Sequence, residues 1–135
     1  MSRIVPVMKF NEQLPQGINL IRAYSAAGVT VGAEQLTRPC VVAPGALVRD
    51  FTDRDIADLE VGSLDCLWPL APQVVLLGTG LTQRFAPAPI RAAFAQRRIA
   101  LEAMDLGAAC RTYNVLAQED RAVVALLFPE PGAVA

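Results

Sequence analysis

The run VVLLGTG, from Val74 to Gly80, is an apolar stretch that stops at two glycines flanking a threonine. Residues of this type at the end of a strand can present backbone amides to a phosphate, so Gly78, Thr79 and Gly80 are candidates for anion chemistry. Read as a dinucleotide fingerprint, the turn follows a strand, and Glu102 lies near the end of the next one, about 20 residues on, where a ribose-binding acid is expected. The departures weigh more. Gln83 occupies the third glycine position, and LTQRFAPAP inserts a proline-bearing loop before the helix that should receive the pyrophosphate. The Lys-Ser/Thr ending of a P-loop is also missing. The turn reads first as a structural corner, next as the wall of a pocket for another ligand, and last as a cofactor cradle.

A second constellation lies downstream, in DLGAACRTYNVLAQED. At about 100° per residue, Leu106, Cys110, Tyr113 and Ala117 share one side of a helix. Arg111, Asn114 and Gln118 share another, at spacings of three, four and seven residues. Such a stripe is either a solvated face or a site for a partner or an anion, since an arginine beside an amide offers several fixed donors. Thr79, Glu102 and Asp105 complete that site if the strand ends converge on it.

Other chemistry is missing from the chain. It contains no histidine, which removes the usual general base, the commonest zinc ligand and histidine-dependent triads. Cys40, Cys66 and Cys110 are far apart and odd in number, a poor basis for a metal site or a disulfide framework. They read as small buried hydrophobes in a reducing compartment. Neither a metal nor a cofactor is expected. The net charge of -1, from 12 basic and 13 acidic residues, leaves no excess to neutralise phosphates, so nucleic acid is not an expected partner.

These residues need elements to hold them. The 135 residues, 53% hydrophobic and 19% charged, suffice for one globular domain over 1–135 with a real core. INLIRAY, AAGVTVG, PCVVAPG and LVRDF read as extended segments between Gly and Pro turns. DRDIADLE reads as a solvated loop or helix entry, with a catalytic carboxylate pair as the lesser reading, and a short helix near Gly62 takes Ser63 as its cap. The second half alternates: QVVLLGTG a strand buried on both faces, PIRAAFAQRR a helix opened by Pro89, IALEAM a strand, a helix capped by Asp105, and RAVVALLF a strand. Strand, helix, strand, helix, strand argues an α/β fold: a three-layer α/β sandwich with a central mixed sheet. The β-rich N-terminal half extends that sheet or lies against it. The first 17 residues hold too short an apolar stretch, broken by Pro6, for a signal peptide, and no apolar run spans a bilayer. A cytoplasmic protein without stable membrane insertion is expected.

VVLLGTG, ALEAMDLGAACRTYNVL and RAVVALLF together resemble the Mth-type domain family, whose biochemical function is unknown and one branch of which assembles mitochondrial complex I. The resemblance extends upstream through GINLIRAY and VVAPGALVRDF, and its most specific part runs from Glu102 to Leu116. It implies the three-layer sandwich and a mostly non-enzymatic role. It marks Gly78, Thr79, Gly80, Arg111, Thr112, Tyr113 and Asn114 as motif positions without assigning them work. The Arg- and Ala-rich composition fits a bacterial member. The leading expectation is a non-catalytic domain that binds a protein partner, as in respiratory-complex assembly. The alternative is a small-molecule or anion binder, or an unorthodox enzyme, with Arg111 and Asn114 around a pocket beside the glycine turn.

Overall fold

The computed structural model describes residues 17–132, so the apolar stretch near the N-terminus lies outside the described residues. Among the described residues, eight strands form two sheets. In the first, β1 (Ile21–Ser25), β2 (Gly28–Val31) and β3 (Glu34–Leu36) pair antiparallel in sequence order. The second contains β4 (Cys40–Ala43), β5 (Ala46–Val48), β6 (Val74–Thr79), β7 (Ala100–Met104) and β8 (Val123–Phe128), in the order β5-β4-β8-β6-β7. Here β6 runs parallel to β7 and β8, while β4 is antiparallel to β8 and β5. The N-terminal half thus does both things expected of it: β4 and β5 extend the central sheet, and the β1–β3 sheet lies against it.

Helices α1 (Ala88–Gln96) and α2 (Leu106–Gln118) cover opposite faces of the central sheet. Helix α2 shares its face with the β1–β3 sheet, enclosing Leu76, Tyr113, Cys110 and Leu127. Helix α1 and three 3₁₀ turns cover the other, enclosing Phe94, Ile90, Leu77 and Leu126. Strands β6 and β8 therefore contact a core on both sides, which is why they lack an alternating pattern. Each fully buried Leu, Ile or Phe contributes roughly 1.5–3 kcal/mol. Ile90 and Phe94, four residues apart, are the buried stripe of α1, and Pro89 sits in its first turn. Asp105 caps α2, accepting from the Ala108 N–H at 2.8 Å, worth about 1 kcal/mol.

Two local expectations are corrected, the Ser63 cap and the burial of Cys66, and one strand is added. Ser63 caps nothing: it lies inside a 3₁₀ segment, Val61–Cys66, whose preceding residue is Glu60. The strand Glu34–Leu36 is too short and polar to announce itself, and is held by pairing with β2. Cys40 and Cys110 are buried, with desolvation pushing each thiol up to about 12. Cys66 is exposed.

Candidate functional site

The glycine turn is first of all a junction. A Cβ at Gly78 would come within 2.6 Å of the Ala109 Cβ and 3.3 Å of the Leu106 Cα, so its absence lets α2 lie directly on β6. Gly80 has a φ of 35°, and its N–H donates to the Phe128 carbonyl at 3.2 Å. Its carbonyl accepts from the Leu106 N–H at 3.0 Å, so one residue joins β6, the end of β8 and the start of α2. Thr79 is buried, and its hydroxyl donates to the Thr82 carbonyl at 2.7 Å.

Helix α2 uses the motif residues largely on the protein itself. Tyr113 is fully buried, and its hydroxyl donates to the Asn19 carbonyl at 2.6 Å. Burial holds that phenol well above its ordinary range. Asn114 accepts from the Ile21 N–H and donates to the Ile21 carbonyl, both at 2.9 Å. Its side-chain amide thereby closes the outer edge of β1 as a neighbouring strand would. Asn114 does not stand beside Arg111 as a second ligand donor. Thr112 is half-buried, while Arg111 is exposed. Arg111 lies over the Tyr24 ring, 5.9 Å from its centroid, and donates to its hydroxyl at 3.4 Å. That hydrogen bond raises the guanidinium above its ordinary value, keeping it charged. No carboxylate pairs with Arg111 among the described residues.

Arg111 opens onto a cleft of about 280 Å³ with Tyr24, Ser25, Leu81, Asp105, Gly107 and Gly80. The cleft lies where the connections after β6 and β7 leave for opposite faces of the sheet, the usual place for a crevice in an open α/β sheet. The convergence expected from sequence is therefore partial. Gly80, Asp105 and Arg111 meet. Thr79 instead lines a separate small hollow with Asp55, Thr82 and Arg84. Glu102 is exposed on β7, away from both.

One feature escaped the sequence reading. Beside the cleft, the segment 81–87 presents Leu81, 50% exposed, and Phe85, 71% exposed. The segment is nevertheless held at several points. The Leu81 N–H reaches the Glu130 carboxylate at 3.3 Å, Thr82 is tied to Thr79, and Arg84 grips Asp55 with two bonds at 2.9 and 2.7 Å. The Arg84 fork lowers the Asp55 carboxyl below its usual value, although partial burial pulls the other way. Polar clamps thus fix a loop whose two large apolar side chains, Leu81 and Phe85, face solvent, while Ala86 is buried in the core beneath. Its sequence signal was an aromatic inside a proline-rich loop, with no core periodicity to claim it.

The mixed sheet, the second small sheet and the helix on either face define a Mth938-like α/β fold. Residues 21–128 match the family described as "Protein of unknown function (DUF498/DUF598)", and the chain belongs to it. It is 35% identical over 126 residues to NADH dehydrogenase (ubiquinone) 1 alpha subcomplex assembly factor 3 of Mus musculus, and 36% identical over 118 residues to that of Bos taurus. These matches cover 91% and 85% of this chain but 66% and 63% of the relatives, so the chain spans just under two thirds of their length. Among solved structures, a Xanthomonas campestris protein superposes with a TM-score of 0.79 at 33% identity, covering 95% of this chain and 97% of that one. A Bordetella pertussis protein described as a Mth938-like domain gives 0.74 at 25%, covering 94% and 96%. Among the described residues, no helix is long and apolar enough to cross a membrane.

Proposed function

We propose that residues 1–135 act as one non-catalytic protein-interaction domain serving respiratory-complex assembly, with Leu81 and Phe85 as its docking anchors. The observation that carries this reading is the clamped loop. A large aromatic, 71% exposed on a segment fixed by three sets of polar contacts, loses little conformational entropy when a partner covers it. The assembly-factor names of the mammalian relatives support the role. The cleft's chemistry supports a non-catalytic use. Its titratable side chains are Tyr24, Asp105 and Arg111; Asp105 already caps α2, and Arg111 is held charged. The net charge of -1 favours a protein partner over nucleic acid. The cytoplasm, a reducing compartment, suits the free thiols of Cys40 and Cys110.

Affinity purification from the native host, with mass spectrometry, tests the proposal by comparing the wild type with a Leu81→Ser/Phe85→Ser variant. A partner captured by the wild type and lost from the equally stable variant is the expected result. Retention of every native partner by the variant contradicts it. The cleft itself favours a second reading, in which Arg111 holds an anionic small molecule. In that case Arg111→Ala abolishes ligand binding, while Leu81→Ser/Phe85→Ser leaves it intact.

A further inference from the structure

Strand β7 ends the central sheet, and among the described residues nothing pairs with its outer edge. The Ala100 N–H donates to the Gln73 carbonyl across the β6 side, in the parallel register Val74↔Ala100. Backbone groups alternate along a strand, so Ala100, Glu102 and Met104 turn theirs toward β6. Leu101 and Ala103 turn their N–H and C=O groups outward. Their side chains pack toward the α1 core, whereas Glu102 lies on the opposite face and is exposed. An edge with two free residues is a template for a second strand, and the nearest source of an identical strand is another copy of this chain.

The two-fold antiparallel register that uses both free residues pairs Leu101 with Ala103 of the second copy, and Ala103 with its Leu101. That register is centred on Glu102. It sets the two Glu102 residues directly opposite one another as a non-hydrogen-bonded pair, the closer kind, with Cβ atoms roughly 4.5–5.5 Å apart on one face. Registers centred on Leu101 or on Ala103 would instead pair a free residue with Ile99, whose N–H already bonds the Phe94 carbonyl, or with Asp105, whose carbonyl already accepts from the Ala109 N–H. We propose that Glu102 is the gatekeeper of this edge: its charge prevents the chain from pairing β7 to β7 with its own copies. The residue is thereby assigned a role in partner exclusion rather than in the cleft. The loop at 81–87 plays no part in it.

Charge exchange tests this directly, by sedimentation velocity of the full chain over a concentration series. Glu102→Val removes the repulsion and adds a cross-strand β-branched pair, so self-association tightens by roughly tenfold or more relative to wild type. Adding Ala103→Pro to that variant removes an outward N–H and returns association to the wild-type level, because the free edge is where proline is tolerated and pairing is not. Glu102→Lys alone does not self-associate beyond wild type, yet an equimolar mixture with wild type does, as opposite charges now face each other. Circular dichroism confirms that each variant is folded, and Glu102→Thr replaces Glu102→Val should the latter misfold. Glu102→Val behaving as wild type, or associating equally with and without Ala103→Pro, overturns the proposal. So does a mixture of wild type and Glu102→Lys that shows no added association.

Discussion

Helix α2 and the loop that follows β6 meet at Gly80, and they use polar groups in opposite ways. On α2, the Tyr113 hydroxyl and the Asn114 amide turn inward to bond the backbone at Asn19 and Ile21. In the loop, the Thr79 hydroxyl and the Arg84–Asp55 pair hold the chain so that Leu81 and Phe85 turn outward. The helix carries the more distinctive sequence, yet most of that distinctiveness serves packing. The plainer loop leaves apolar surface unsatisfied by the fold. A distinctive motif and a docking surface need not coincide, and here they are adjacent.

The largest effect that would sharpen this contrast comes from Tyr113. Tyr113→Ala leaves a cavity between α2 and β1 and an unpaired Asn19 carbonyl, and should destabilise the fold by about 3–5 kcal/mol in denaturant unfolding. Next comes Gly78→Ala, which sets a methyl against Ala109 and the backbone of α2; overpacking of this kind costs about 1–3 kcal/mol. An unchanged unfolding midpoint in either variant would break the view of α2 as a structural element.

The loop's clamp should matter much less. Asp55 has a lowered carboxyl pKa in the folded protein, so the clamp stabilises the fold above the unfolded carboxyl value, about 3.9, and the benefit is lost as pH falls through the lowered one. The pair is exposed, and Arg84→Ala should cost less than about 1 kcal/mol at neutral pH. The variant should also lose less stability than wild type between neutral pH and acid, measured by thermal melts across that range. Smallest of all is the stability change in Leu81→Ser/Phe85→Ser, within about 0.5 kcal/mol. A larger loss would make these side chains part of the core's support and remove them as docking anchors.

Much of the fold was legible because its second half follows simple periods. Val74–Thr79 and Val123–Phe128 are apolar throughout, as strands buried on two faces must be, and Ile90 with Phe94 gave α1 its inward stripe. The separate β1–β3 sheet was not resolved from the central one, because local alternation says a segment is extended without saying which edge it joins. The site was less legible. Gly80, Asp105 and Arg111 do meet at one cleft, but helical spacing alone placed Asn114 on a ligand-facing stripe. Only the packing of β1 against α2 shows that its amide is used by Ile21. Leu81 and Phe85 escaped because an apolar residue in a loop gives no period from which exposure can be read.

In this molecule, then, the loop binds and the helix supports. Amide hydrogen exchange of the chain, alone and with the partner captured from its native host, tests it most directly. Residues 81–86 should gain protection in the complex while the amides of α2 facing β6 and β1 stay as slow as before. Protection gained elsewhere, with 81–86 exchanging as freely as in the isolated chain, would contradict it.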